Sequence, residues 1–203
     1  MTVFDRTPDT HIGRKPIFFL HVPKTAGTSV RHFLEAPLYR HQIYRVVSAP
    51  NEVQRRRRER FDPSIKFVSG HVPYWFGDAL PDRQTLLFVR NPVERVLSTY
   101  YFWRSQPAPA PDDASDDAAL LRSIAETSLE HFVFEKDALW RGSISNYACR
   151  LVGHNQPWTF DLPYDDQTEK CARDRLESIE MVGVVERTDE SLDVRWLRRQ
   201  CHL

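Results

Sequence analysis

The feature that most constrains this chain is a junction near its beginning. A short apolar run passes through a loop of small and hydroxyl residues into helical spacing. Ile17–Val22 reads IFFLHV, the length and near-continuous apolarity of a strand buried on both faces. PKTAGTS follows, and Val30, Phe33 and Leu34 then recur at helical spacing. Further strands are expected at Ile65–Ser69, Leu86–Val89 and Met181–Val185, with a weaker one at Ile43–Val47. Helical patterns lie between them, near Ala118–Glu126, Leu129–Phe134, Ser143–Leu151 and Gln167–Ile179. Strands alternating with helices predict a three-layer α/β/α domain with a mostly parallel central sheet, P-loop-like in outline.

Two helix starts carry clear signals. RNPVERVLSTYYFW begins with Asn91 as cap, Pro92 at the first helical position and Glu94 three residues after the cap. Val93, Val96, Leu97 and Tyr100 form its expected apolar stripe. NEVQRRRRER at Asn51–Arg60 reads as a solvated helix capped by Asn51, and Thr188 can cap a last helix through Leu197. Residues 1–15 read as a flexible polar tail, and residues 16–203 as a single domain. Ser105–Ala119 (SQPAPAPDDASDDAA) reads as a loop or mobile segment within that domain, since neither flank has a core of its own.

Charge is distributed unevenly. Residues 1–105 carry 17 Lys and Arg against 9 Asp and Glu, and residues 106–203 carry 11 against 19. A basic first half suits an anionic ligand such as phosphate or sulfate; the halves could equally pair with each other. Cys149, Cys171 and Cys201 are odd in number and widely spaced, which gives neither a disulfide framework nor a zinc signature. The first residues lack the apolar core of a signal peptide, and no run approaches a membrane span. The expectation is a cytoplasmic protein with no metal, no nucleic-acid partner and no transmembrane segment, and with room for self-association.

The junction carries the chemistry. Ala26 and Gly27 let the backbone approach a ligand, and the free amides around Thr25–Ser29 point at one spot with the helix dipole behind them. Lys24 adds a full charge, and Thr25, Thr28 and Ser29 add hydroxyl donors. The order differs from a Walker A loop, in which Lys directly follows the second Gly; here Lys24 precedes Gly27 by three residues. A nucleotide that needs no metal therefore fits better than ATP–Mg. A turn that only caps a helix would also carry such residues. Arg90 ends a predicted strand, where open α/β sheets place ligands, and Arg suits two-point phosphate contact. Ser98 lies two turns into the following helix, and His71 follows a strand and a Gly. A neutral imidazole there could take a proton from an attacking hydroxyl, or it could serve only to bond a carbonyl. His21, just before the loop, reads as structural.

HVPKTAGTS resembles the 5′-phosphosulfate loop of sulfotransferases that use 3′-phosphoadenosine 5′-phosphosulfate (PAPS). The resemblance is closest to the heparan sulfate 2-O-sulfotransferase-like carbohydrate subfamily and its bacterial relatives. LLFVRNPVERVLSTYYFW resembles their 3′-phosphate strand and helix, and SGHVPYWFG the segment with the catalytic His. NYACRLVG and MVGVVERTDESL resemble later landmarks less specifically. The resemblance implies donor binding by Lys24, Thr25, Ala26, Gly27, Thr28, Ser29, Arg90 and Ser98, with catalysis by His71 and Lys24. It implies PAPS as donor, adenosine 3′,5′-bisphosphate (PAP) as product, and a hydroxyl-bearing acceptor, a glycan. Tyr74, Trp75 and Phe76 could wall the acceptor site, and the Arg55–Arg60 run could hold an acidic glycan or be a solvated helix face. The resemblance implies a further helix and a donor-covering loop past the last landmark, which Arg195–Leu203 alone is not expected to supply. The other readings are an ATP-dependent, kinase-like phosphotransferase and a non-catalytic PAP- or PAPS-binding relic.

Overall fold

Phe18, Phe19 and Leu20 are wholly excluded from solvent, because the strand they form lies in the middle of the sheet. The computed structural model describes residues 15–46, 55–56, 59–135, 138–155 and 164–191. Its strands are β1 (Ile17–Leu20), β2 (Ile43–Val46), β3 (Phe67–Gly70), β4 (Gln84–Val89) and β5 (Met181–Val184). Their order is β2-β3-β1-β4-β5, and every pairing is parallel. The chain leaves β1 toward β2 on one side and leaves β4 toward β5 on the other. The C-terminal ends of β1 and β4 thus flank a topological switch point, where such sheets open a crevice.

Period-two alternation sends side chains to two cores. Phe19, Phe67, Leu86 and Phe88 meet Val30 and Leu34 of helix α1 (Gly27–Glu35). Phe18, Leu20, Val68 and Leu87 meet Trp75 and Phe76 of a 3-10 segment (Tyr74–Ala79), and Tyr147, Leu151 and Ala172 beyond it. Those last three come from two helices that pack on each other, α6 (Tyr147–Gly153) and α7 (Asp166–Leu176). A third cluster, Tyr100, Ile124, Phe132, Trp140 and Ile144, joins α2 (Pro92–Arg104), α3 (Asp116–Ala125), α4 (Leu129–Phe134) and α5 (Arg141–Ile144). A short α8 (Thr188–Ser191) follows β5. Three layers and a parallel sheet are thus as the sequence predicts.

Several details differ, each for a local reason. The helix expected over Ser143–Leu151 is two helices, because Asn146 adopts a left-handed backbone (φ 47°) between α5 and α6. The stripe expected on α2 holds only in part. Tyr100 is buried and Val96 packs against its cluster as expected, but Val93 is 65% exposed, and Arg95 and Thr99 are buried. Arg95 faces inward because its guanidinium donates to the carbonyls of Ser143 (3.1 Å) and Ile144 (3.0 Å), which the short α5 leaves without helical partners. The Pro/Asp-rich segment ends at Ser115, whose hydroxyl accepts from Ala118 N–H and starts α3 at Asp116, two residues before the expected Ala118. Arg122 ties that segment down by donating to the carbonyls of Ala110 (2.8 Å) and Asp113 (2.7 Å). The tail over residues 1–14, most of the Asn51–Arg60 helix and the last helix beyond Ser191 lie outside the described residues.

Candidate active site

The loop after β1 is built by two left-handed residues. Lys24 has φ 66° and Ala26 φ 56°, a conformation that costs a non-glycine residue about 1–3 kcal/mol. Thr25 between them is fully buried, and its hydroxyl donates to Val22 O (2.8 Å), cinching the turn. This corrects the expectation that the Thr25 hydroxyl donates to a ligand: it is already committed, and only the Thr25 backbone remains for one. Alternating backbone hands of this kind curl successive amides toward one side. The first helical bond runs from Val30 N–H to Ala26 O (3.2 Å), so the amides of Gly27, Thr28 and Ser29 precede the helical ladder. Ala26 offers no side-chain cap, and the first turn holds no acidic residue. The side chains of Thr28 and Ser29 are exposed. Together these make an electropositive concavity at a helix start.

Gly27 is required for a different reason than ligand approach alone. A Cβ there would fall 1.7 Å from Nε2 of His21, whose imidazole lies edge-on against the start of α1. The His21 ring also stacks on Phe19 (5.3 Å between centroids) and meets His71 at 4.3 Å.

Lys24 and Arg90 approach from the two sides of the crevice. Burial lowers the Lys24 pKa, and the Arg90 charge lowers it further. Lys24 Nζ lies 3.8 Å from the ring centroid of Phe102 on α2. Arg90 directly follows β4, with Glu94 at 3.4 Å and Glu186 at 3.9 Å from its guanidinium. Glu186 also accepts from Asn91 N–H (2.9 Å), pinning the β4–α2 turn to the end of β5. Asn91 accepts from Val93 N–H and Glu94 N–H, the cap its sequence context predicts. Ser98 is half-buried on α2; it is its neighbour Thr99 whose hydroxyl back-bonds to Arg95 O (2.9 Å).

His71 directly follows β3, the strand beside β1. Its Nδ1 lies 2.7 Å from His21 O. A carbonyl can only accept, so Nδ1 carries the proton and Nε2 keeps a lone pair. Burial lowers the His71 pKa, the bond to His21 O opposes that shift, and the Arg31 charge reinforces it. His21 is held lower still, to about 3, by burial, then by His71 and Arg31. Both rings are therefore neutral near pH 7, and His71 has the protonation state of a base.

The C-terminal ends of three adjacent strands thus supply Lys24, His71 and Arg90. A cavity of about 400 Å³ lies elsewhere, lined by Arg56, Glu59, Arg60, Trp75, Asp78, Ala79 and Asn155. Trp75 and Phe76 are buried, Phe76 entirely, so they belong to the core more than to an acceptor wall. Arg56 stacks on Phe61 (4.2 Å) and Tyr44 (5.1 Å), and Arg55 pairs with Glu59 (3.6 Å), so this part of the arginine run packs on its own neighbourhood. Sequence reasoning missed Glu186, Phe102 and Arg31. Glu186 follows the last strand much as Arg90 follows β4, a positional signal that was there to be used. Phe102 carried no such signal.

Among the described residues no group of His, Cys, Asp or Glu is placed to hold a metal ion, and no helix is long and apolar enough to cross a membrane. No solved structure gives a significant match to the chain. Over 88 residues, 42% of its length, the chain is 32% identical to a protein-tyrosine sulfotransferase of Arabidopsis thaliana, and the match spans 17% of that relative. A family model described as "Sulfotransferase family" matches residues 11–194, which takes in the cradle, His71, Arg90 and every described strand. The chain belongs to the sulfotransferase family.

Proposed function

We propose that this chain moves a sulfuryl group from PAPS to a hydroxyl of an acceptor and releases PAP. One observation carries the reading: the start of α1, led in by two left-handed residues, has no side-chain cap and no acidic residue, with Lys24 in its loop and Arg90 after the neighbouring strand β4, where the Arg90 charge adds to burial in lowering the Lys24 pKa. Repulsion between the two cations is relieved by a polyanion lying between them, and a nucleotide with phosphates at both its 5′ and 3′ positions fits that need. When bound, PAPS supplies a sulfuryl group already activated by its link to the 5′-phosphate.

The residues then have distinct work. The amides from Thr25 to Ser29 and the Lys24 ammonium hold the 5′-phosphate. Arg90 and Ser98 hold the 3′-phosphate, with Arg90 leaving Glu94 and Glu186 to do so. His71 Nε2 takes the acceptor's proton as its oxygen bonds to sulfur. Lys24 stabilises the negative charge that collects on the departing phosphate oxygen as the old S–O bond breaks.

The acceptor reading is a carbohydrate hydroxyl, from the likeness of the His71 segment to the carbohydrate subfamily. A tyrosine phenol in a protein is the second reading, favoured by the relative at 32% identity. A thermal-shift titration tests the donor: stabilisation by PAP but not by ATP–Mg is expected, and the reverse would replace the reading with a phosphotransferase. Transfer from labelled PAPS to glycans and to tyrosine peptides, run side by side, decides the acceptor. Binding of PAP without transfer to any acceptor would make the protein a relic.

A further inference from the structure

We propose that His21 is a positioning residue that couples the donor cradle to the base. Its ring fills the notch beside Gly27, and its main-chain carbonyl fixes the proton of His71 on Nδ1. The inference rests on the reading of His71 as the base.

Three contacts support it. The His21 ring lies so close to the first residue of α1 that a Cβ at Gly27 would meet its Nε2, Cδ2 and Cε1 at 1.7, 2.1 and 2.5 Å. The ring is held between Phe19 and His71, at 5.3 and 4.3 Å between centroids. The carbonyl of the same residue accepts from His71 at 2.7 Å. One residue therefore touches the helix start that receives the phosphate and the imidazole that receives the proton. Its low pKa keeps it neutral, so it adds no second cation beside His71. The charge that acts on both rings is Arg31 of α1, and a protonated His71 acts on His21 as well.

The consequence is a division of labour. Removing the His21 ring opens a space beside His71, lets its ring turn and wets it. The amides of Gly27, Thr28 and Ser29 stay in place, since helix geometry and the Thr25 bond set them. Loss of the ring therefore acts on the chemical step and spares donor binding.

The test compares wild type with His21→Phe, His21→Ala, Gly27→Ala and His71→Ala. It reads PAP affinity by calorimetry, kcat and its pH profile with labelled PAPS, and the His71 titration by NMR. His21→Phe keeps a ring in the notch, and kcat should stay within about 3-fold of wild type. His21→Ala should lower kcat by about 10- to 100-fold, the scale of a misplaced reacting group, with PAP affinity within about 3-fold. In that variant the His71 titration and the acid limb of the kcat profile should both move up toward 6.5 as burial is lost. Gly27→Ala, which intrudes on the same notch from the helix side, should disturb the His71 titration too and serves if His21→Ala does not fold. An unchanged His71 titration in both, or a loss of kcat and PAP affinity that His21→Phe shares equally with His21→Ala, overturns the proposal. Wild-type turnover in His71→Ala would instead overturn the base assignment, while the NMR titrations would still decide whether His21 governs the His71 ring.

Discussion

Two strand–turn–helix junctions stand on either side of the switch point, and they treat their helix starts in opposite ways. After β4, Asn91 accepts from two amides of α2, Pro92 removes a third donor, and Glu94 sits in the first turn. After β1, α1 has no side-chain cap and no acid in its first turn, and its loop holds two non-glycine residues in left-handed backbone. The first junction satisfies itself and offers a ligand one guanidinium. The second is left unsatisfied and strained, and offers a ligand its backbone. The difference matches what the proposed donor would need at two places: a cradle to wrap one phosphate, and a single cation to recognise another.

The largest effect should come from the charge at the unsatisfied junction. Lys24→Met keeps an apolar stem and removes the ammonium that sits over Phe102. Turnover should fall by about 10²–10³-fold, the scale seen when one donor to a developing oxyanion is lost. PAP affinity, measured by calorimetry, should fall less than turnover. Equal losses would mean that Lys24 only binds and does not act on the departing oxygen.

Next in size is a change that makes the second junction resemble the first. Ala26→Asp places a carboxylate at the start of α1, at a left-handed position that Asp tolerates better than Ala. PAP affinity should fall by about 10- to 100-fold, through charge opposed to phosphate, while the melting temperature holds or rises. A melting temperature that falls with the affinity would show damage to the fold in place of loss of the anion site.

Much of this contrast was readable from the chain. N-P-V-E announces a capped start because cap, proline and acid act within four residues, and the apolar run before PKTAGTS fixes where the loop emerges. What could not be read depends on chain segments brought together by the sheet. Glu186 reaches Asn91 across a separation of 95 residues, and Arg95 finds the carbonyls of Ser143 and Ile144 nearly 50 residues on. His21 reads as an ordinary polar residue at a strand end; its contact with His71 exists only because β3 lies beside β1. The Thr25 hydroxyl looks like a ligand donor in sequence, and only the turn geometry commits it to Val22.

The self-satisfied junction should give a milder, purely structural response. Asn91→Ala removes the cap on α2 and should cost about 1 kcal/mol in denaturant unfolding. PAP affinity should change little, because the Arg90 guanidinium does not hang from that cap. A loss of affinity as large as that of Ala26→Asp would mean that this capped junction also serves an anion through its backbone.

The smallest effect expected is at Glu186, and it separates two roles in one side chain. Its carboxylate accepts from Asn91 N–H at 2.9 Å and lies 3.9 Å from Arg90 Nε. Glu186→Gln keeps an acceptor for the amide and removes the charge beside the guanidinium. The Glu186 side chain is 40% exposed, so the Arg90 pair is worth at most about 1 kcal/mol in water. PAP should then bind about 2- to 3-fold more tightly to the variant at low salt, with the gain shrinking as salt screens the pair. Weaker binding would reverse the role: the carboxylate would be aiming Arg90 at the ligand, and its charge would be part of the recognition instead of a competitor the 3′-phosphate must displace.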